Sequence, residues 1–259
     1  MNKWRFVLLH AWPSLIGLGR EMLHHPAFAL RLFYFRLRFF LKRRMDQALK
    51  TPSGFVLETS NELISYWSFF IEREGYDRSW VTALTSEMRP VIVDVGANAG
   101  LFTHMIWTLN PNSQITVFEP LPRMASKIAA WRKKTGASVA IHNAAVSSQS
   151  GEASFFVSAD NDTTASLRND GSKTQVVSVP VVTLDSTITE GAILLMKIDV
   201  EGFEIEVLKG ARKTLENTRF LLVEAHTQED VDLLQGTLGA RWAGKKVGAS
   251  DILYRRTTF

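Results

Sequence analysis

Asp94-Val95-Gly96-Ala97-Asn98-Ala99-Gly100 is the stretch that decides the fold. It starts within the β-rich run Val91-Ile92-Val93-Asp94-Val95 and leads into an apolar helical stripe at Phe102, Ile106 and Leu109. Gly96 and Gly100 let the backbone turn sharply and approach a ligand without a Cβ in the way. Gly-x-x-x-Gly alone also describes an ordinary strand-to-helix turn, so the neighbours carry the reading. Ile115 to Phe118 forms the next strand and ends at Phe118-Glu119-Pro120, nineteen residues beyond Gly100 at the acid. A carboxylate there can accept both hydroxyls of a ribose. The loop lacks the Gly-x-Gly-x-x-Gly spacing that wraps a pyrophosphate at a helix N-terminus, which favours a nucleoside cofactor without phosphates, such as S-adenosylmethionine.

Strands and helices alternate outward from this turn. Helices are expected over Arg123 to Lys134, Phe203 to Leu215 and Glu229 to Leu238; strands over Ser138 to Val146, Ile193 to Ile198 and Phe220 to Val223; and a hairpin over Ala240 to Thr257. Such alternation implies a parallel sheet covered on both faces, with ligands beyond the strand C-termini at the switch point of strand order. Residues 151–184 interrupt the rhythm with extra strands at Ala153 to Val157 and Val176 to Val182, around the polar stretch Ser158 to Thr174. Three divisions follow: a basic, aromatic-rich helical segment over residues 1–50, a helical lead-in over 51–89, and the sheet domain over 90–259. The lead-in carries helices at 61–73 and at Arg78 to Met88.

Composition removes several function classes. Without any cysteine there is no disulfide framework, no cysteine-ligated zinc and no thiol nucleophile. The net charge of +4 hides an asymmetry: residues 1–50 carry ten Lys and Arg against Glu21 and Asp46. The apolar run Phe6 to Gly19 is broken by His10 and Pro13 and is too short to span a bilayer, so a cytoplasmic protein is expected. Ala27 to Arg44 is different. On a helix Arg31, Arg38 and Lys42 share one face, and aromatic and leucine side chains fill most of the rest. That pattern suits a helix lying on a membrane surface, a helix packed on its own domain, or a subunit contact. No nucleic-acid recognition motif accompanies the charge. The oligomeric state is not legible.

Five stretches together resemble the FkbM family of methyltransferases, over roughly residues 60 to 226: Asp94 to Gly100; Val117 to Pro120; Asn143 to Ser147 with Gly151; Val182 to Ser186; and Lys197-Ile198-Asp199-Val200-Glu201-Gly202-Phe203-Glu204, extended by Val207 to Ala211. The resemblance implies a Rossmann-like class I methyltransferase fold: an α/β domain with a seven-stranded, mostly parallel sheet in the order three-two-one-four-five-seven-six, here with an extra β insertion and an N-terminal helical extension. It further implies S-adenosylmethionine as cofactor. Asp94, Gly96, Ala97, Asn98 and Gly100 would hold the methionine portion and Glu119 the ribose. Phe118 and Pro120 would border the nucleoside, Asn143 and Ala144 would lie near adenine, and Asp199 would stand where donor and acceptor meet.

Family members mostly act on hydroxyls, so the expected reaction is O-methylation of a sugar, glycan or secondary metabolite. An in-line displacement needs alignment and a proton acceptor. Asp199 and Glu201 straddle Val200 just past a buried strand, and His226 follows the next strand, so the three are the candidate catalytic residues. Each has a second reading: Asp199 as an orienter of the cofactor's amino group, Glu201 as a helix cap, His226 as a hydrogen-bonded strand end. His104 lies on a helix without catalytic neighbours and reads as structural. The spacing of Asp199, Glu201 and His226 fits no recognised metal motif, so no metal is expected. Two rival functions share parts of the pattern: an NAD-linked oxidoreductase, and a non-catalytic membrane-surface protein that keeps the fold. The acceptor would be shaped by residues 151–184 and the helices before Pro90.

Overall fold

The computed structural model of the chain describes residues 17–42, 47–72, 77–158, 161–166, 175–189, 191–248 and 250–257. The start of the apolar run at 6–16, residues 43 and 44 of the basic segment, and most of the polar stretch within 158–174 lie outside the described residues. The chain divides into two compact units, Met1–Glu74 and Gly75–Phe259. The helix expected at 78–88 therefore belongs with the sheet, and the lead-in is shared between the units.

In the first unit, residues 17–24 are helical and α1 follows at Pro26–Lys42. A two-residue ladder pairs β1 (Leu49–Lys50) with β2 (Val56–Leu57). Thr59 then opens α2 (Ser60–Tyr66) through a reciprocal capping box with Glu62, and the helix widens into a π-helical turn at Trp67–Glu72. Ala29, Leu32, Leu49, Phe55, Leu57, Leu63, Tyr66 and Ile71 are buried, and Phe28 meets Tyr66 edge-on.

The second unit carries α3 (Arg78–Ser86), β3 (Val91–Val95), α4 (Leu101–Leu109), β4 (Gln114–Phe118), α5 (Pro122–Thr135), β5 (Val139–His142), β6 (Ala145–Val146), β7 (Gly151–Ser158), β8 (Asn161–Ser166) and β9 (Gln175–Val182). It continues with α6 (Leu184–Thr187), β10 (Ile193–Ile198), α7 (Glu204–Lys209), α8 (Arg212–Glu216), β11 (Thr218–Glu224), α9 (Gln228–Leu238), β12 (Trp242–Lys246) and β13 (Asp251–Arg256). The main sheet runs β12-β13-β11-β10-β3-β4-β5. Neighbours from β11 to β5 are parallel, and β13 is antiparallel to both β11 and β12. In sequence order that is three-two-one-four-five-seven-six with an antiparallel seventh strand, the class I methyltransferase arrangement. Central β10 is buried along its whole length, as a strand covered on both faces must be. The order reverses between β3 and β10, which places the crevice at the C-terminal tips of these two strands.

Two expected elements differ in a way that matters. The strand expected over 138–146 is split: β5 pairs in the main sheet, while β6 leaves it to pair with β9 in a second sheet of order β6-β9-β7-β8. The helix expected over 203–215 is broken at Gly210-Ala211 into α7 and α8. A Cβ on Gly210 would stand 2.2 Å from the Ser147 carbonyl oxygen, so the chain must narrow there to pass the β6 loop. Asp185 completes the joint. Its backbone N–H donates to the Gly210 carbonyl, and its carboxylate accepts from the backbone N–H groups of Lys213 and Thr214. Three of the five family-like stretches thus meet in one packing junction.

Candidate active site

The loop after β3 hangs on the tip of β4. The N–H groups of Gly96 and Ala97 donate to the Phe118 carbonyl at 3.0 and 3.1 Å, and the Asn98 N–H donates to Glu119 Oε2 at 2.7 Å. The other oxygen, Oε1, accepts from the Leu121 N–H at 2.8 Å. Glu119 is therefore on the same side of the sheet as Gly96, wedged between the two loops, and each of its oxygens keeps a second lone pair for a ribose hydroxyl. Burial pushes its carboxyl up to about 7, against the pull of the two backbone N–H donors. Gly96 and Asn98 both take left-handed backbone angles, φ +80° and +50°. The space a Cβ on Gly96 would need is occupied by protein: the Asp199 carbonyl oxygen would be 1.8 Å away. At Gly100 a Cβ would meet the Ile128 side chain at 2.7 Å. Both glycines thus serve close packing of loop and helix as well as the turn.

The rest of the expected nucleoside border divides by role. The Phe118 ring is in the core and stacks on His142 at 4.8 Å, so the group it offers the loop is its carbonyl. Asn143 is exposed, and its side-chain amide donates to the carbonyls of Glu119 and Pro120, fastening the β4 loop to the end of β5. Ala144 is buried and Pro120 half-buried beside them. His104 is in the core, edge-on to Trp131 at 5.2 Å, and burial pulls its imidazole down to about 4. Its structural reading stands.

The second half of the crevice is built from charges. Asp94 pairs in register with Lys197 across β3 and β10. Its Oδ2 accepts from the Thr103 hydroxyl at 2.6 Å, while its Oδ1 is buried with no hydrogen-bond partner. Burial raises the Asp94 carboxyl despite the attraction of Lys197. Lys197 Nζ lies 2.6 Å from Asp199 Oδ2 and over the Phe102 ring. Burial disfavours both charges of this pair, yet their mutual attraction holds the Asp199 carboxyl below and the Lys197 ammonium above its ordinary value. Next to them is a residue the sequence reading passed over, Glu224 at the end of β11. It lies 3.4 Å from His226 Nε2 and accepts from the Ser250 hydroxyl at 3.2 Å. Burial first, then the charge of Asp199, pushes the Glu224 carboxyl up to about 8. His226 is exposed, and its backbone N–H donates to Asp230 within the capping box that opens α9.

Glu201 is exposed at φ +56°. It is not the cap of the following helix. The N-cap position is Phe203, which has no side-chain cap, and Glu204, the first helical residue, accepts from the N–H groups of Val200 and Gly202 in the preceding turn at 3.2 and 3.1 Å. Ligand atoms of Glu201, Glu224 and His226 lie within 4.8 Å of one another, so the structure assembles a possible ligand set that differs from the sequence-derived trio by Glu224 in place of Asp199. Five carboxylates (Asp94, Glu119, Asp199, Glu201 and Glu224) thus lie at the C-terminal ends of the four adjoining strands β4, β3, β10 and β11, with Lys197 the one buried cation among the described residues. That donor set suits S-adenosylmethionine, whose sulfonium and ammonium are both positive, and is ill suited to a pyrophosphate.

The family model for the methyltransferase FkbM domain matches residues 94–237. The chain belongs to the FkbM methyltransferase family. With that membership come methyl transfer and S-adenosylmethionine as its donor. Among relatives, the chain is 31% identical to the 2-O-methyltransferase NoeI of Sinorhizobium fredii, over 62% of this chain and 72% of that one. It is also 31% identical to the hexuronic acid methyltransferase AglP of Haloferax volcanii, over 56% of this chain and 59% of that one, so it spans about three-fifths of AglP. A solved methyltransferase from Podospora anserina superposes with a TM-score of 0.49 at 10% identity, over 99% of this chain and 97% of its own; the fold is read from the strand order above.

Proposed function

We propose that this methyltransferase acts on a hydroxyl of a sugar or glycan, with Glu119 holding the donor's ribose and His226 taking the proton of the acceptor hydroxyl. The observation that carries it is the sequence of groups across the crevice. A carboxylate tethers the two nucleoside-side loops, buried carboxylates follow, and an exposed imidazole beside Glu224 closes the far end. The names of the two relatives supply the acceptor class. When bound, S-adenosylmethionine supplies an electrophilic methyl group on a positive sulfur. The protein then has to align the hydroxyl, exclude water and receive a proton. Asp199 is a poor acceptor because Lys197 keeps it ionised and occupied. His226 is open to an incoming acceptor, and Glu224 at its side can hold the ring in place. Of the three catalytic candidates this leaves Asp199 as an electrostatic support for the donor's positive end and Glu201 as a wall of the acceptor mouth.

Calorimetry with S-adenosylmethionine and its demethylated product, then a screen of mono- and oligosaccharides with a labelled methyl donor, tests the reading. Binding of both nucleosides, and label in a saccharide ether, are expected. No binding at high micromolar concentration, with Glu119→Ala indistinguishable from the native chain, would defeat it. Label appearing only in an amine or a carboxylate would overturn the acceptor class.

A further inference from the structure

We infer that the first unit is a docking surface for an anionic lipid bilayer, and that α1 lies along that bilayer without crossing it. Ala29 and Leu32 are buried, and Phe28 meets Tyr66 within this unit, so one face of α1 is already covered. The opposite face is apolar and open: Leu30 is 58% exposed, Phe33 49% and Tyr34 52%. At about 100° per residue these three occupy an arc of roughly 100°. In the preceding helical stretch Leu23 is 82% exposed. Leucines and aromatics grouped this way on a water-soluble surface mark a binding face.

Charge decides the occupant. Arg31 is exposed beside this arc, and the sequence from Pro26 to Lys42 carries three arginines, a lysine and no acidic residue. A second copy of the same stripe would bring like charges together. A bilayer surface offers phosphates to these cations and acyl chains to the exposed apolar arc at the same time. Among the described residues no helix is long and apolar enough to cross a membrane, which leaves an orientation parallel to the surface.

The test is flotation of the full chain with phosphatidylcholine vesicles, with and without phosphatidylglycerol, alongside light scattering of the free protein. Binding to the anionic vesicles, weakened by salt, is expected. Leu30→Glu with Phe33→Glu should lower recovery about tenfold or more, and Arg31→Glu about fivefold on anionic vesicles only. Lys133→Glu on exposed α5 should change nothing. An unchanged melting temperature and cofactor isotherm in each variant show that the chain is still folded. If the double variant fails these controls, Leu30→Gln with Phe33→Gln takes its place. Equal recovery with and without phosphatidylglycerol, or no loss in a folded stripe variant, overturns the inference. So does a dimer that the stripe variants dissociate while no vesicle binding is seen: the occupant would then be a second copy.

Discussion

The two halves of the crevice are held by different means. At the tips of β3 and β4 the frame is backbone: the N–H groups of Gly96, Ala97, Asn98 and Leu121 close on one carbonyl and one carboxylate. At the tips of β10 and β11 it is a row of ionisable side chains, Lys197, Asp199, Glu224 and His226, with Ser250 behind. A backbone frame recognises an invariant partner and tolerates little movement. A side-chain frame can be retuned one residue at a time. The donor is common to a whole family, whereas acceptors differ, and the division of materials follows that need.

Several measurements would break or sharpen this contrast. The largest effect should come from His226→Ala, expected to lower kcat by roughly 10² to 10⁴ while the Kd for S-adenosylmethionine stays within about twofold; loss of cofactor binding in step with kcat would erase the boundary between the halves. Lys197→Met leaves buried Asp94 and half-buried Asp199 without their cation and should cost roughly 3–5 kcal/mol, read as a lower urea midpoint. Glu119→Ala is expected to weaken the cofactor about a hundredfold, since two charge-assisted hydrogen bonds to the ribose go with it; an unchanged isotherm would place the ribose elsewhere.

The smallest effect concerns protons. Glu119 and Glu224 titrate at about 7 and about 8 in the folded chain against 4.5 unfolded. Both are raised, so their contribution to stability is complete below pH 4.5 and is lost as the pH climbs through 7 and 8. The melting temperature of the free protein should therefore fall from pH 5 to pH 8. Binding a donor that carries a sulfonium and an ammonium should expel about half a proton or more near pH 7.5, seen as a dependence of the binding heat on buffer ionisation enthalpy. A heat independent of buffer would mean that neither carboxyl faces the donor's charge.

How much of this was legible in the sequence follows the same divide. The β3 and β4 loops could be read because left-handed turns and close approaches demand particular residues, and Gly96, Asn98 and Glu119 satisfy those demands locally. Glu224 could not be read from a motif. Its signal was present, though: it sits two residues before His226 at a strand end, and alternate residues on a strand face one side. Lys197 and Asp199 show the same spacing. The break at Gly210 was hidden because its cause, the Ser147 carbonyl, is distant in sequence. The strand β8, Asn161 to Ser166, is too polar to announce itself and exists by pairing with β7, where tertiary context overrides propensity.

The split of β5 from β6 has an architectural consequence. Because β7 and β9 form a seven-rung ladder of their own, with a small core of Ala145, Phe155, Val179 and Val181, the second sheet is a stalk rooted at one edge of the main one. The seven rungs between β7 and β9, from Gly151 opposite Val181 to Val157 opposite Gln175, involve no residue between Ser158 and Gln175. The second sheet thus stands apart from the strands that carry the site, and chimaeras that exchange residues 159–174 between relatives would test whether this segment sets the acceptor.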